Sequence, residues 1–302
     1  MISSNNFTTF GMHSDAVRYS WAIYHLFVLL SSFIGDTLIL MASVHKDAFK
    51  VNKSIVTIIQ HIAISDILIS SVRVLPTTVS LFANKWILGD ALCYIIVYAV
   101  YFSYPAGMYL IAFLTISKFL ILRNPLTVSK WPMMKMVNIV IVGIWTFQIV
   151  IPVLFLFLGK RDIHFDYRIY FCDYRYQANK IWKELLPVIT VVYTFIPNVI
   201  IIATTIPTLR YLAVARKCAR RVNGSVPWHG GLAVAITAAV YCLSTLPMSI
   251  CYICKNFFPD PTGVFQFQLY RVGFFLSMIN IMSNFFIYIY TSCIYTSCIY
   301  TL

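Results

Sequence analysis

The side chains of this chain that could do chemistry are few, and the most telling sit where water is scarce. Asp36 interrupts the apolar run from Ser20 to Val44, and Asp66 and Arg73 interrupt the next, from Ser54 to Asn84. An ionisable group inside a span long enough to cross a bilayer is costly unless it faces other helices and finds a partner. Two acids on neighbouring helices point to a bound cation or a shared proton, the alternative being hydrogen-bonded packing groups. Arg73 lies seven residues past Asp66, about two helical turns. Two readings stand for it: a side chain snorkelling to the interface, or a contact for an anion in a cavity, with Lys255 and Arg271 near the rim.

Catalytic patterns are missing. The six histidines are scattered, and no H-E-x-x-H, G-x-S-x-G or P-loop occurs, so enzyme activity is not expected. Cys251 and Cys254 form a C-x-x-C, which inside an apolar helix reads as packing rather than metal or redox chemistry. Cys93 and Cys172 fall in or beside connecting segments.

These residues are positioned by a membrane protein. With 302 residues, 60% hydrophobic and 11% charged, and a mean hydropathy of +0.80, the chain is too apolar for a soluble domain. Nearly uncharged runs at Ser20–Val44, Ser54–Asn84, Ala91–Leu122, Met136–Gly159, Leu185–Leu209, Gly230–Ile253 and Val264–Leu302 predict an all-α, seven-transmembrane helix bundle. The expected organisation is a tail over 1–18, the bundle over 19–290, and a short tail over 291–302 that completes the tandem repeat YTSCI-YTSCI starting at Tyr290.

Loops on one side carry twelve lysines and arginines against the single acid Asp47, whereas the other side carries ten against seven acids. The positive-inside rule then places the N-terminus outside and the C-terminus in the cytosol, in a multi-pass plasma-membrane protein. Contact with anionic inner-leaflet lipid accounts for the basic charge, and nucleic acid is not an expected partner. No cleavable signal peptide is visible, and the first helix is expected to act as its own signal. Asn6-Phe7-Thr8 is then an outside glycosylation site, unlike the matching patterns at Asn52 and Asn223.

Trp86, Gly89 and Cys93 stand in the spacing W-x-x-G-x-x-x-C at the start of the third span, which ends in Lys118 and the exit Arg123-Asn124-Pro125-Leu126. This resembles the third helix of the rhodopsin-like G protein-coupled receptors. The resemblance extends along the chain in order: Gly35, Asp66, Trp145, Cys172, Pro197, Pro247, and Asn280, Asn284 and Tyr288 in the last helix. It implies a disulfide between Cys93 and Cys172, and a polar core of Asp66, Asp36, Asn280 and Asn284 that holds sodium, with no other cofactor. It also implies an activation switch around Pro247 and Tyr288, and coupling to a heterotrimeric G protein through Ser117, Lys118, Phe119, Arg123 and Pro125.

The sequence also departs from the pattern. Ser117-Lys118-Phe119 stands where the family has Asp-Arg-Tyr, keeping a cation but losing its acid and the planar fork of arginine. Asp36 replaces an asparagine, Thr245 replaces the tryptophan two residues before the helix-six proline, and Phe285 replaces the proline of Asn-Pro-x-x-Tyr. Met278 occupies the retinal-linking lysine position and Val100 the amine-anchoring acid position, so neither an opsin nor a typical amine receptor is expected. The remaining pocket set, Arg73, Tyr101, Tyr104, Tyr252 and Arg271, implies a peptide or small anionic ligand from outside the cell. Two further readings are a carrier coupled to ions, suggested by the buried acids, and a non-signalling decoy of receptor fold, suggested by Ser117-Lys118-Phe119.

Overall fold

The structure, a computed structural model, describes residues 15–44, 53–124, 126, 133–159, 163–167, 169–174, 188–189, 191–221, 228–257, 272–273 and 275–283. Backbone N–H and C=O groups in a bilayer must be satisfied within the protein, and the apolar runs accordingly fold as helices. These are α1 (Asp15–Val44), α2 (Lys53–Ala83), α3 (Asp90–Arg123), α4 (Met133–Gly159), α5 (Ile196–Arg221) and α6 (Trp228–Phe257). A seventh helix, α7, is described over 272–273 and 275–283. Five helices among the described residues are long and apolar enough to cross a membrane, and α6 contributes the shorter apolar stretch Val234–Pro247. α5 continues to Arg221, twelve residues past the apolar run that ends at Leu209.

α2 and α5 are interrupted in the same way. Residues Ser70–Val74 of α2 form a π-helical turn, and a second, Val191–Phe195, leads into α5. Each ends two residues before a proline, Pro76 or Pro197. Proline has no N–H to give the preceding turn, and its ring crowds the carbonyl four residues back. A π turn relieves that crowding by widening the backbone, and at the first of them the Leu75 N–H bonds back to the Ser70 carbonyl.

α3 is the central helix, packing against α2, α4, α5 and α6. Met108, Leu110, Ile111 and Leu114 of α3 join Ile58 and Ile62 of α2 and Tyr241 of α6 in the main core. The approach of α2 to α3 is close at Gly107, where an added Cβ would lie 3.1 Å from Ser65 Oγ. Outward faces are apolar as well: Ile23, Phe27, Leu30 and Ile34 form an exposed stripe at helical spacing along α1, as a lipid-facing surface requires.

The long segment between α4 and α5 contains a feature its sequence did not announce. β1 (Ile163–Asp166) and β2 (Phe171–Tyr174) pair antiparallel, with Phe165 opposite Cys172. Four-residue strands are too short for alternation to be legible, and an isolated hairpin is marginal in stability. Here a disulfide and the bundle hold it.

Candidate functional site

At the hairpin end of the bundle, the W-x-x-G-x-x-x-C spacing is the start of α3. Gly89 has φ +81°, a conformation that favours glycine, and a Cβ there would meet nothing within 4 Å, so backbone rather than space selects the residue. Trp86 Nε1 donates to the Gly89 carbonyl at 2.9 Å, and the Cys93 N–H donates to the same oxygen at 3.2 Å. Cys93 then carries the disulfide to Cys172 of β2. The hairpin is fastened a second time by the Tyr170 hydroxyl, which donates to Asn84 Oδ1 at 2.8 Å just past α2. Arg18 of α1 donates to the Leu81 and Phe82 carbonyls at the same end of α2, and pairs with Asp15. This is the C-terminal end of that helix, where a cation is favoured.

The structure divides the expected ligand residues. Arg73 is only 6% exposed, so its side chain points into the bundle instead of snorkelling. Its Cζ lies 5.3 Å from the Tyr104 ring centroid on α3, and the Tyr104 hydroxyl is in hydrogen-bonding contact with Arg73 and with Ser277 of α7. His25 of α1 is an electrostatic neighbour of Arg73, and its Nδ1 donates to the Trp21 carbonyl at 2.8 Å. Tyr101, by contrast, packs with Tyr98 against the disulfide and the hairpin. Val100 and Met278 belong to the apolar cluster beside Tyr104. Arg271 and the Tyr252 side chain lie outside the described residues.

Below this, Asp36 is 1% exposed and accepts from Ser32 Oγ at 2.8 Å, and Ser32 accepts in turn from Ser70 Oγ of α2 at 2.8 Å. The π turn of α2 thus presents Ser70 to α1 and Arg73 to α3. Asp36 Oδ1 and Asn280 Oδ1 are buried without hydrogen-bond partners among the described residues. Asp66 is buried as well and is an electrostatic neighbour of Tyr241. Asn284 lies outside the described residues. Sequence reasoning missed Ser32 and Ser70; the signal for Ser32 was its place one turn before Asp36.

Thr245 donates to Asn198 Oδ1 on α5 at 3.2 Å and to the Tyr241 carbonyl at 2.9 Å. Asn198 follows Pro197, and its partnership with α6 was not visible in sequence. Pro247 lies within α6, and Tyr288 is outside the described residues. At the far end of α3, Ser117 is buried and Lys118 half-buried, and the Arg123 Cζ lies 5.7 Å from the Phe119 ring centroid. Pro125 and Asn6 fall outside the described residues. Trp145 of α4 donates to His61 Nδ1 of α2 at 3.2 Å.

A seven-helix bundle with a central third helix tied by disulfide to a covering hairpin has a counterpart in sequence. The profile of the 7 transmembrane receptor (rhodopsin family) matches residues 35–288. The chain belongs to this family. Squid rhodopsin shares its fold, with a TM-score of 0.75 at 17% identity over 95% of this chain and 81% of that one. Among curated proteins, the mouse G-protein coupled receptor 183 is 27% identical over 52% of this chain, and the octopus gonadotropin-releasing hormone receptor is 24% identical over 59%. The matched regions cover 44% and 43% of those two proteins, so the alignments span less than half of either. As a rhodopsin-family receptor the protein is a multi-pass component of the plasma membrane. The Cys93–Cys172 bond that the resemblance implied is present. Receptors of this kind in general take an extracellular ligand and engage a G protein.

Proposed function

We propose that this receptor lies with its N-terminus outside the cell, binds an acid-bearing ligand at Arg73, and activates a heterotrimeric G protein through the Lys118 end of α3. The charge asymmetry of the loops supports the orientation, which puts the hairpin and the Asn6 glycosylation pattern outside and the basic loops against inner-leaflet lipid. The observation that carries the ligand reading is the burial of Arg73 among helices, in contact with Tyr104. A buried guanidinium recognises a carboxylate through paired, charge-assisted hydrogen bonds. A peptide with an acidic group and a small organic anion share that chemistry.

In the core, sodium is the proposed cation. Asp66, Asp36 and Asn280 offer buried oxygens of the kind hard cations prefer, and two of those oxygens have no hydrogen-bond partner among the described residues. The ligand acts by binding the active bundle more tightly than the resting one, since only that difference moves the equilibrium.

The test is a cell-based signalling screen of acidic peptides and small carboxylates, repeated with Arg73→Ala receptor shown to reach the surface. Loss of the response in the variant supports the reading, whereas an unchanged response removes Arg73 from the ligand site. Binding with no G protein response would instead favour a decoy, a reading supported by Ser117, which stands where the family carries an acid beside its cation.

A further inference from the structure

The hairpin sorts its side chains by face. Successive strand residues point to opposite sides, and Ile163, Phe165 and Cys172 share one side, in the cluster with Cys93 and Val97 of α3. His164, Asp166, Phe171 and Asp173 therefore fall on the other. Phe171 anchors that side, 5% exposed and packed with Ile96 of α3. The register sets His164 directly opposite Asp173, and residues so placed on paired strands have Cβ atoms about 5 Å apart. Both residues are half-buried, and Nδ1 of His164 is shielded from solvent. At this end of the bundle His164 is the one histidine outside the spans among the described residues.

We infer that His164 and Asp173 form an acid-sensitive clasp between the two strands, which takes up a proton and thereby closes the hairpin more firmly when the solution on that side, the outer one in the proposed orientation, is acidified. Histidine changes charge between about pH 5 and 8, where an aspartate stays ionised. A neutral imidazole offers a carboxylate one N–H, and an imidazolium adds a charge. The closed hairpin then holds the proton more tightly than the opened chain, so acid favours closure, and the gain is lost as the pH rises above the range of histidine. Asp166, two residues along on the same face, adds attraction, as does Asp90 at the start of α3, the helix against which both strands pack. Tyr94 and Tyr98 of that helix bring no cation, and Arg18 of α1 is paired with Asp15. Lys85, ahead of α3, opposes the effect. Lys160, Arg161, Asp162, Arg168 and Arg175 flank the strands outside the described residues, and Arg175 is the group placed to compete for Asp173. Phe171 and Cys172 seat the same hairpin on α3, so a firmer clasp steadies the outer end of the helix that carries Lys118 at its other end.

The test uses purified receptor with isotope-labelled histidine in phosphatidylcholine nanodiscs, the His164→Gln receptor serving to assign the ring signal of His164 by nuclear magnetic resonance. Between about pH 5 and 8 that signal is expected to titrate, and Asp173→Asn is expected to weaken its proton binding by about three- to tenfold. Cleavage by trypsin after Arg168, corrected at each pH with an unstructured peptide, is expected to be about threefold slower at about pH 5.5 than at about pH 7.5, and this ratio to vanish in His164→Gln and in Asp173→Asn. Both variants keep the size and hydrogen bonding of the residue they replace, and the wild-type titration and cleavage ratio are read without either.

A His164 signal that does not titrate in this range would overturn the inference. So would a titration unmoved in Asp173→Asn, which would mean that another group such as Arg175 holds that carboxylate. A wild-type cleavage ratio of one, or a ratio as large in His164→Gln as in the wild type, would overturn it as well, because the hairpin would not be reading the proton.

Discussion

The Thr245 hydroxyl donates to Oδ1 of Asn198 at 3.2 Å, joining α6 to α5 beside Pro197. Both residues are buried, and Asn198 Nδ2 is already given to the Thr194 carbonyl at 2.8 Å. Thr245→Val keeps the shape but strands the Asn198 oxygen, at an expected cost of about 1–3 kcal/mol. Adding Asn198→Leu should cost less than the sum of the two single changes, with a coupling of about 1 kcal/mol in a double-mutant cycle of unfolding. Simple additivity would show that the two helices are not joined through this pair.

Asp36 gives a prediction with a sign. Asparagine retains an oxygen to accept from Ser32 and removes the penalty of a buried charge. Asp36→Asn is therefore expected to raise the unfolding temperature in sodium-free buffer. The gain should shrink as sodium is added, because a cation at the carboxylate offsets the same penalty. Asp36→Leu strands the Ser32 hydroxyl and should destabilise by about 1–3 kcal/mol. A gain for Asp36→Asn that is indifferent to sodium would remove this aspartate from the cation core.

Gly107 and Ser65 make a packing pair. A Cβ at position 107 would lie 3.1 Å from Ser65 Oγ, whose hydroxyl donates to the Ser103 carbonyl at 3.1 Å. Gly107→Ala must push that hydroxyl aside, and a loss of about 1 kcal/mol is expected despite the better helix propensity of alanine. In a Ser65→Ala background the obstruction is gone, and the same substitution should become neutral or stabilising. Thermal unfolding of the four proteins decides it.

The hairpin is held by two fastenings of unequal strength. The Cys93–Cys172 bond links residues 79 apart in sequence, a closure whose loss costs about 4 kcal/mol in the chain-entropy account. Cys172→Ser should sharply reduce the yield of folded receptor. Tyr170→Phe removes only the bond to Asn84, and about 1 kcal/mol is expected. Limited proteolysis within residues 163–174 should be faster in both, and far more so in the first.

Much of the architecture was legible because lipid imposes long apolar runs, and these fixed the helices to within several residues at most ends. The W-x-x-G-x-x-x-C spacing was legible through its resemblance to the receptor family, and the structure gives its residues their tasks: Gly89 turns the chain into α3, Trp86 bonds that turn and Cys93 holds the hairpin. The π turns were not. Pro197 was legible only as part of the family pattern, because whether a helix kinks or widens by one residue near a proline depends on packing around it, as does the direction in which Arg73 then points. The hairpin was hidden because strands of four residues carry almost no periodic signal. Tyr101 and Tyr104 looked equivalent in sequence, yet three residues along a helix turned one toward the disulfide and the other toward Arg73.

Nucleotide exchange on purified heterotrimeric G proteins tests the central claim most directly. The receptor in nanodiscs, alone and with the acidic peptides and small carboxylates of the signalling screen, is compared with Lys118→Ala receptor and with receptor-free discs. Exchange above the receptor-free rate that falls by about tenfold in Lys118→Ala is the expected result, with Lys118 contributing one charge-assisted contact. Exchange at the receptor-free rate for every G protein, with and without these probes, would contradict the account.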